Sequence, residues 1–247
     1  MDDKNIKLIL AYDGSCYHGW QRQRNDVTIQ GVIEEKIRIM FGEPVNLIAS
    51  GRTDAGVHAV NQVCNFRTRS DIGPDAVKKG LNSLLPDDIF VKDAGYVSLE
   101  FHARYSARSK IYEYRILNQE DPDIFLRGFI WHIRVPLRTE EMAICLSLLE
   151  GRHDFSSFRS SGSANTDPVR SITRAELHGD RGGLLRLEIE ADGFLRHMVR
   201  NIVGTVVEVG MGKTTLDGFK TLFESKDRRS AGVKAPPHGL FLMEVRY

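Results

Sequence analysis

Segments with the periodicity of a β-strand and segments with that of an α-helix follow one another in an order that restricts the possible folds. Apolar residues alternate over residues 6–12, as in a half-buried strand, and recur at helical spacing over 29–40, between Thr28 as a helix cap and Gly42. Further strands are predicted over 45–50, 61–66 and 88–97. A second helix is predicted to begin at Pro74. The first hundred residues thus predict the order strand, helix, strand, strand, helix, strand.

The rest of the chain passes through a similar order of elements, although no repeat is visible in the sequence itself. The predicted elements are strands over 110–117 and 129–135, a helix that Thr139 caps, a hairpin over 174–192, a helix over 194–209 and a strand over 239–247. We therefore expect an α+β fold of two similar α/β halves, 1–105 and 106–247. They would share an extended, mostly antiparallel mixed sheet, flanked by helices, with a central cleft.

Composition restricts the class of protein. The 247 residues are 41% hydrophobic and 27% charged, which is typical of a soluble globular protein. No apolar run approaches the roughly 20 residues of a membrane span, and the first residues lack the layout of a secretion signal, so we expect a cytoplasmic protein without membrane contact. Cys16, Cys64 and Cys145 are scattered, and His58 and His197 lack metal-ligand spacing, so reduced thiols, hydrogen-bonding histidines and no metal site are expected.

The segment SGRTDAGVHAVNQ at 50–62 places an acid two residues after a base among small residues. The side chains of Arg52 and Asp54 can point the same way in such a turn, and the small neighbours leave the carboxylate accessible. Beside a guanidinium the pKa of this carboxyl is expected to be lowered, so that the group stays ionised and can act as nucleophile, base or charge stabiliser. The alternative is an Asx-turn next to a solvated arginine.

Two stretches, 11–25 and 101–115, interleave basic and aromatic side chains. Phosphates and stackable bases suit such a surface, so these stretches indicate a nucleic-acid partner although the net charge is only +1. For either stretch the alternative is a solvated face above core aromatics. The aromatic residues are Tyr12, Tyr17, Trp20, Phe101, Tyr105, Tyr112 and Tyr114, and the basic candidates for RNA contact are Arg22, Arg24, Arg104, Arg108 and Lys110.

The segment 194–209 predicts a helix with two arginines beside its apolar stripe. Arg196 and Arg200, four residues apart, can reach into a cleft to meet a carboxylate or a phosphate, while a structural salt bridge is the alternative. Gly204, one turn further on, permits close approach of backbone or ligand. The apolar stripe consists of Leu195, Val199, Ile202 and Val206.

Six stretches in this order span nearly the whole chain: YDGSCYHGWQRQ, GRTDAGVHA, FHARYSARSKIYEYRI, GRHDFSSFR, FLRHMVRNIVG and GLFLMEV. Together they resemble the tRNA pseudouridine synthase A family, and GRTDAGVHA is the most specific of them. The loop SSGSANTDPV at 160–169 is not matched in detail. The resemblance implies the pseudouridine synthase fold and the isomerisation of uridine to pseudouridine at positions thirty-eight, thirty-nine and forty in the anticodon stem-loop of tRNA.

The resemblance also implies the residues of the site. The catalytic aspartate of the family falls on Asp54, its neighbouring arginine on Arg52, its active-site tyrosine on Tyr112 and its helix arginine on Arg200. Family members are implied to be homodimers without a cofactor, in which the RNA contacts both subunits. The residues expected to bind the substrate are Tyr112, Arg22, Arg24, His58, Arg104, Arg108, Lys110 and Arg196.

Pseudouridine formation breaks the bond from C1′ to N1 and joins C1′ to C5 without net redox change, so no cofactor is required. A paired uridine must first be flipped out; Arg52 could then grip the nucleotide while Tyr112 stacks on the base near C5. Asp54 could attack C1′, attack C6 of uracil or remove a proton from C2′, and the sequence leaves all three open. Each needs an ionised carboxylate away from water. Asp13, the nearest second carboxylate, is predicted to form a turn.

Two other classes of function compete with this enzyme. A non-catalytic RNA-binding or RNA-folding protein could use the same basic and aromatic surfaces. A nucleoside hydrolase that acts on small molecules would release free uracil. The combination of Arg52, Asp54 and Tyr112 favours the synthase, because mere binding has no use for a lone acid beside polyanionic RNA.

Overall fold

The chain folds into two compact units, which are described one at a time. The structure is a computed structural model and describes residues 3–160, 167–180 and 182–247. Unit 1 comprises Met1–Arg108 and Phe241–Tyr247, and unit 2 comprises Ser109–Leu240. The domain division into 1–105 and 106–247 stays a prediction, and residues 161–166 of the unmatched loop lie outside the described residues.

The described residues form strands and α-helices with the following bounds. The strands are β1 (Lys4–Tyr12), β2 (Ile48–Ala49), β3 (His58–Thr68), β4 (Ile89–Val97), β5 (Ser109–Asn118), β6 (Trp131–Ile133), β7 (Gly151–Asp154), β8 (Val169–Gly179), β9 (Leu184–Ala191) and β10 (Leu240–Arg246). The α-helices are α1 (Ile29–Phe41), α2 (Pro74–Leu84), α3 (Thr139–Ser147), α4 (Met198–Gly210) and α5 (Leu216–Ser225).

Unit 1 contains a mixed, mostly antiparallel sheet with the strand order β4, β1, β3, β10. Strand β1 is antiparallel to both β3 and β4, whereas β10 runs parallel to β3, with Phe241 opposite His58. The alternation predicted for β1 is observed, because Ile6, Leu8 and Leu10 are fully buried. This face of the sheet forms part of the core of unit 1.

Helix α1 confirms both ends that the sequence predicts. Thr28 Oγ1 accepts a hydrogen bond from Gly31 N at 3.3 Å, and Gly42 follows the helix with a φ of 71°, a left-handed conformation that glycine adopts without strain. Helix α2 begins at Pro74, as predicted, and packs on β4. Its buried side chains are Val77 and Leu81.

Unit 2 contains a second mixed sheet, with the strand order β6, β5, β9, β8, β7. All neighbouring strands in it are antiparallel except β6, which is parallel to β5. Strands β8 and β9 form the predicted hairpin, and α3 packs on β8. Each unit is therefore a mostly antiparallel sheet with helices packed on it, which confirms the predicted α+β class.

The strand predicted over 45–50 is reduced to the two residues of β2. Leu47, the residue before β2, uses both backbone groups in hydrogen bonds with side chains of α1. Its N–H donates to Glu34 Oε1 at 2.9 Å, and its carbonyl accepts from Gln30 Nε2 at 3.2 Å. These bonds replace the pairing that a longer strand would make.

The strand predicted over 129–135 is shortened to β6 for a similar reason. The side chain of Asn118 donates to the carbonyl oxygens of Ile133 and Val135, each at 2.8 Å, and accepts from Leu137 N at 3.1 Å. One amide side chain thus occupies the backbone groups that would extend the strand.

The helix predicted over 194–209 begins only at Met198. His197, the residue before it, has a φ of 61°, and a residue other than glycine in this left-handed region interrupts a right-handed helix. Arg196 therefore lies in the turn before α4. This corrects its expected position beside Arg200 on one flank of the helix.

The other helices of unit 2 also differ from the prediction. Thr139 is the first residue of α3 and not its cap. The cap position is Arg138, whose side chain makes no capping hydrogen bond. Helix α5 and strand β7 have no counterpart in the prediction. Thr215 caps α5 by accepting a hydrogen bond from Gly218 N at 3.0 Å, and a threonine before a helix is a start signal that the sequence offered. No helix in the described part of the chain is long and apolar enough to cross a membrane.

Another backbone segment of unit 2 comes very close to α4 at Gly204. A Cβ atom at this position would lie 1.7 Å from the carbonyl oxygen of Val233 and 3.1 Å from the nitrogen of Ala235. The expected close approach at Gly204 is therefore confirmed, and the approaching group is backbone. Nearly every residue of α4 is buried, so the helix is packed on all sides and the segment that contains Val233 cannot move to another face of it.

We expect Gly204→Ala to lower the free energy of unfolding by about 2–3 kcal/mol, because the added methyl group meets backbone that must move. Chemical denaturation of the whole chain measures the change. Gly95→Ala is the matched control, since nothing lies within 4 Å of a Cβ at Gly95. Equal stability of the two variants would contradict the assignment of this contact.

Candidate active site

The loop 50–57, which carries Arg52 and Asp54, connects β2 to β3 in unit 1. At its end Val57 N donates to Asp54 O at 3.1 Å, and Gly56 has a φ of 75°. The chain then enters β3. The backbone of Asp54 is thus fixed by a tight turn at the start of a strand.

Burial alternates along the three central residues of this loop. Arg52 is exposed, Thr53 is 6% exposed and Asp54 is partly exposed. In an extended segment such alternation places the side chains of residues 52 and 54 on the side opposite Thr53. The burial pattern agrees with the expectation that acid and base share one side of the loop.

Thr53 anchors the loop to the core of unit 1. Its hydroxyl lies 2.8 Å from that of Tyr12 on β1, and its carbonyl accepts from Trp20 N at 3.0 Å. Burial raises the pKa of Tyr12 to about 12, so the phenol keeps its proton at neutral pH. Gln62 Nε2 donates to the phenol oxygen at 3.3 Å, so Gln62 and Thr53 both contact the Tyr12 hydroxyl.

Gln62 on β3 joins these residues into one buried polar network. Its amide nitrogen also donates to Gly51 O at 2.9 Å, and its amide oxygen accepts from Ser50 Oγ at 2.7 Å. Gln62 is fully buried, and both ends of its amide have partners. This residue was not predicted from the sequence, although a glutamine beside the apolar residues of the strand predicted over 61–66 was the available signal.

The segment after β1 packs against the loop 50–57 at two glycines. A Cβ atom at Gly14 would lie 2.1 Å from Val57 O, and one at Gly19, where φ is 83°, would lie 2.6 Å from Thr53 O. No side chain fits at either position. The stretches YDGSCYHGWQRQ and GRTDAGVHA are therefore in direct contact in unit 1.

His58 and Asp13 support the same contact. His58 Nδ1 accepts from Gly14 N at 3.1 Å, lies 3.0 Å from Asp13 Oδ1, and belongs to a ring stacked on Phe241 with a centroid distance of 4.7 Å. Asp13 Oδ1 also accepts from Ser15 N at 2.9 Å, which confirms its predicted turn-forming role. His58 is hydrogen-bonded, as predicted, but buried, so its contacts favour a supporting role; its contact with substrate stays a prediction.

The aromatic residues of the stretch 11–25 lie inside unit 1, so the alternative of core aromatics below a solvated face is confirmed for this stretch. Arg22 Nη1 donates to Glu34 Oε2 at 2.7 Å. Because Glu34 is buried, Arg22 balances a charge that would otherwise be costly there. Arg24 is exposed. The buried aromatic residues are Tyr12, Tyr17 and Trp20.

The stretch 101–115 crosses from unit 1 into unit 2 and contains the only exposed aromatic residue among the seven interleaved ones, all of which the structure describes. Tyr105 is 76% exposed, whereas Tyr112 and Tyr114 are buried and Phe101 is partly buried. Among the basic residues of this stretch, Arg104 and Arg108 are exposed and Lys110 is partly exposed.

Tyr112 lies on β5 of unit 2, opposite Ile189 on β9. Its ring packs edge-on against Phe194, with a centroid distance of 5.0 Å and an interplanar angle of 82°. The residue is 7% exposed. The sheet and Phe194 hold the ring in one orientation, as a stacking surface requires.

Arg200 lies in the first turn of α4 and is 7% exposed. Its Nε donates to Ala235 O at 2.8 Å, and Ala235 N donates back to Arg200 O at 3.0 Å. Burial raises the pKa of Tyr114 above its ordinary range, and the charge of Arg200 opposes that rise. Burial also lowers the pKa of His238, in the same direction as the Arg200 charge. The guanidinium is thus a cation held in place by hydrogen bonding, and its charge acts on Tyr114 and His238 in unit 2.

Comparison with known proteins assigns the chain to a family. A sequence model described as tRNA pseudouridine synthase matches residues 8–106 and 146–247. Proteins named tRNA pseudouridine synthase A are 46% identical over 244 residues in Thermoanaerobacter sp. (strain X514) and 47% identical over 244 residues in Acetivibrio thermocellus, each over 99% of this chain and 100% of the relative. The Geobacillus sp. (strain WCH70) protein of that name is 45% identical over 247 residues, with 99% and 98% covered.

The chain therefore belongs to the tRNA pseudouridine synthase family, whose members are isomerases that act on uridine in tRNA. These three relatives carry the name tRNA pseudouridine synthase A. The family resemblance expected from the six sequence stretches is confirmed.

We expect Gln62→Met to lower the free energy of unfolding by about 2–3 kcal/mol, because it leaves the buried hydroxyls and carbonyl around Gln62 without partners at nearly unchanged volume. Urea denaturation measures the loss. Gln23→Met is the matched control, since Gln23 is exposed and donates only to His18 O, at 3.1 Å. The network would be refuted as a support of the loop if both variants unfolded at the same urea concentration.

Proposed function

We propose that this chain isomerises uridine to pseudouridine at positions thirty-eight, thirty-nine and forty of the tRNA anticodon stem-loop, with Asp54 as the catalytic carboxylate. Family membership supports the reaction. The observation that supports the choice of residue is the burial pattern of the loop 50–57, in which Thr53 is buried while Arg52 is exposed and Asp54 is partly exposed. A carboxylate on an anchored loop is ready for reaction without further ordering.

Asp54 acts on a nucleotide that has left the RNA stack. The bond from C1′ to N1 breaks, the uracil turns, C1′ joins C5, the proton on C5 is released and N1 takes up a proton, so the product is an isomer of the substrate. An ionised carboxylate can assist by attack on C1′, by attack on C6 of uracil or by removal of the proton on C2′. In every case water must be kept away from C1′, because its capture of the sugar would release free uracil.

Arg52 binds the flipped nucleotide or its phosphate. The Arg52 side chain is exposed while the neighbouring residue Thr53 is anchored, so the guanidinium extends into solvent from a fixed point. Arginine is suited to phosphate because its planar fork donates two parallel hydrogen bonds. Binding of the flipped nucleotide offsets the few kcal/mol that unstacking costs.

Tyr112 and Arg200 complete the proposed catalytic set. Tyr112 offers a fixed ring for stacking on uracil near C5, and its packing against Phe194 supports that role. Arg200 supplies positive charge to a carboxylate or a phosphate, and its burial makes that charge effective, since a low dielectric strengthens electrostatic interactions. Both assignments follow the family resemblance residue by residue.

The remaining predicted contacts concern the body of the tRNA. Exposed cations suit phosphate binding, which releases counterions and makes affinity depend on salt. Arg22 is partly committed to Glu34 and His58 is buried, so we propose indirect roles for these two. The cations assigned to phosphates are Arg24, Arg104, Arg108, Lys110 and Arg196.

We expect Asp54→Asn to abolish pseudouridine formation, with a fall in kcat on the order of 1,000-fold or more, while tRNA binding remains. Release of tritium from C5-labelled uridine in tRNA measures turnover, and filter binding measures affinity. Asp93→Asn, at an exposed position on β4 of the same unit, is the matched control and should behave as the unaltered chain.

Three results would reject parts of this proposal. Persistent tritium release from Asp54→Asn would remove Asp54 from the chemistry. Free uracil as the main product would identify a hydrolase. Binding of tRNA without turnover by the unaltered chain would indicate an RNA-binding protein. Mapping pseudouridines in tRNA from cells that lack the protein tests the three positions.

We also propose that the chain works in the cytoplasm as a homodimer whose tRNA contacts both subunits, as the family resemblance implies. Sedimentation equilibrium at working concentrations should give about twice the 27.9 kDa of one chain. A fully active species with the mass of one chain would contradict this.

A further inference from the structure

Tyr105 projects from unit 1 within a small cluster of aromatic and cationic side chains. Its ring lies on the ring of His102, with a centroid distance of 4.3 Å and an interplanar angle of 32°, and the guanidinium carbon of Arg104 lies 5.5 Å from its centroid. Despite both neighbours Tyr105 is 76% exposed. We call His102, Arg104 and Tyr105 the Tyr105 cluster.

The loop that carries this cluster is held from below by two buried asparagines. Asn5 Nδ2 donates to Ser98 O at 2.9 Å and to Phe101 O at 3.0 Å. Asn65 Nδ2 donates to Asn5 Oδ1, and Asn65 Oδ1 accepts from Ala103 N, each at 2.9 Å. Two fully used amides inside the sheet thus fix the backbone on both sides of His102.

Hydrogen bonds within the loop also fix the ring of His102. His102 Nδ1 accepts from Arg104 N at 3.2 Å and from Tyr105 N at 3.3 Å, which locks the imidazole beneath the tyrosine. Ser106 N donates to His102 O at 2.9 Å, and Tyr247 OH donates to Ala103 O at 2.8 Å. The exposed ring is therefore presented by a rigid segment and loses little freedom when a ligand stacks on it.

Charge selects the kind of ligand. Residues 101–108 contain two arginines and no acidic residue. An exposed tyrosine with an arginine beside it matches a nucleobase with its phosphate, because bases stack on aromatic rings and guanidinium planes while the cation meets the backbone. A base inside a duplex does not expose its face, so the ligand is an unpaired nucleotide.

The cluster is held at Asn65 of β3, whereas Asp54 lies near the other end of that strand, where Val57 N donates to its carbonyl oxygen at 3.1 Å. His58 follows the loop 50–57 directly, and Asn65 lies seven residues further along β3. At about 3.3 Å per residue these two anchor points are roughly 23 Å apart. The nucleotide at the cluster is therefore a different one from the nucleotide that is isomerised.

We propose that the Tyr105 cluster binds an unpaired base of the substrate tRNA by stacking, outside the catalytic site. This inference rests on the proposed function for the identity of the RNA, and it concerns binding and not the chemical step. Neither His102 nor Tyr105 is among the residues predicted from the sequence to bind the substrate.

The test compares Tyr105→Ala with Tyr105→Phe in the whole chain. Tyr105→Ala should raise the Kd and KM for tRNA about tenfold or more and leave kcat nearly unchanged, because only stacking is lost. Tyr105→Phe keeps the ring and should bind as the unaltered chain does. Tyr96→Ala is the matched control, since Tyr96 is 53% exposed on β4 of the same unit and should not change binding.

Salt dependence separates stacking from charge. Tyr105→Ala should keep the slope of log Kd against log salt concentration, whereas Arg104→Ala should lower it by about one phosphate contact. Equal affinity of Tyr105→Ala and the unaltered chain, or equal losses in Tyr105→Ala and Tyr105→Phe, would overturn the proposal.

Two further readouts make the failure of this inference distinguishable from the failure of the proposed function. The effect of Tyr105→Ala on tRNA affinity, measured in the Asp54→Asn background, needs no turnover. A change of sedimentation without a change of tRNA affinity in Tyr105→Ala would mean that the cluster binds another protein chain, and would overturn the inference while leaving the enzyme intact.

Discussion

The hydrogen bond between the buried hydroxyls of Thr53 and Tyr12 is the interaction on which the rest of the proposed site depends. Thr53 occupies the one position between Arg52 and Asp54, so anchoring it decides which way both neighbours face. Burial raises the pKa of the Tyr12 phenol, so its protonation state does not change near neutral pH. A reaction that needs a carboxylate placed within fractions of an ångström gains from a support that does not change with pH.

Gln62 and the glycines extend this anchor into a rigid frame. Gln62 holds the loop through backbone and side-chain groups at once, while Gly14 and Gly19 let a second segment pack on its other side without intervening side chains. Such close contact excludes water and permits only one arrangement. It explains why two stretches forty residues apart in the sequence both belong to the pattern of the family.

Much of the fold could be predicted because periodicity and caps act locally. The strand β1, the caps Thr28 and Gly42 and the Pro74 helix start are in place. The predictions over 45–50 and 129–135 were too long because the Glu34 and Asn118 side chains, distant in sequence, capture backbone groups there. Periodicity reports which face of an element is apolar; it carries no information about a polar side chain that competes for the backbone of another element.

The interleaved basic and aromatic stretches show the same limit for the site. The spacing of Tyr12, Tyr17 and Trp20 among basic residues is equally compatible with a core and with an RNA surface, and the sheet decides for the core by burying them. Tyr105 remains exposed because Asn65 and His102 hold its loop through hydrogen bonds to backbone N–H groups, and not through burial of the Tyr105 ring. An aromatic ring stays exposed on a rigid segment only when other groups supply the stability that its burial would have given. An exposed ring on a loop that other residues hold in place therefore indicates a binding surface, whereas the composition of the stretch alone does not distinguish such a surface from the core.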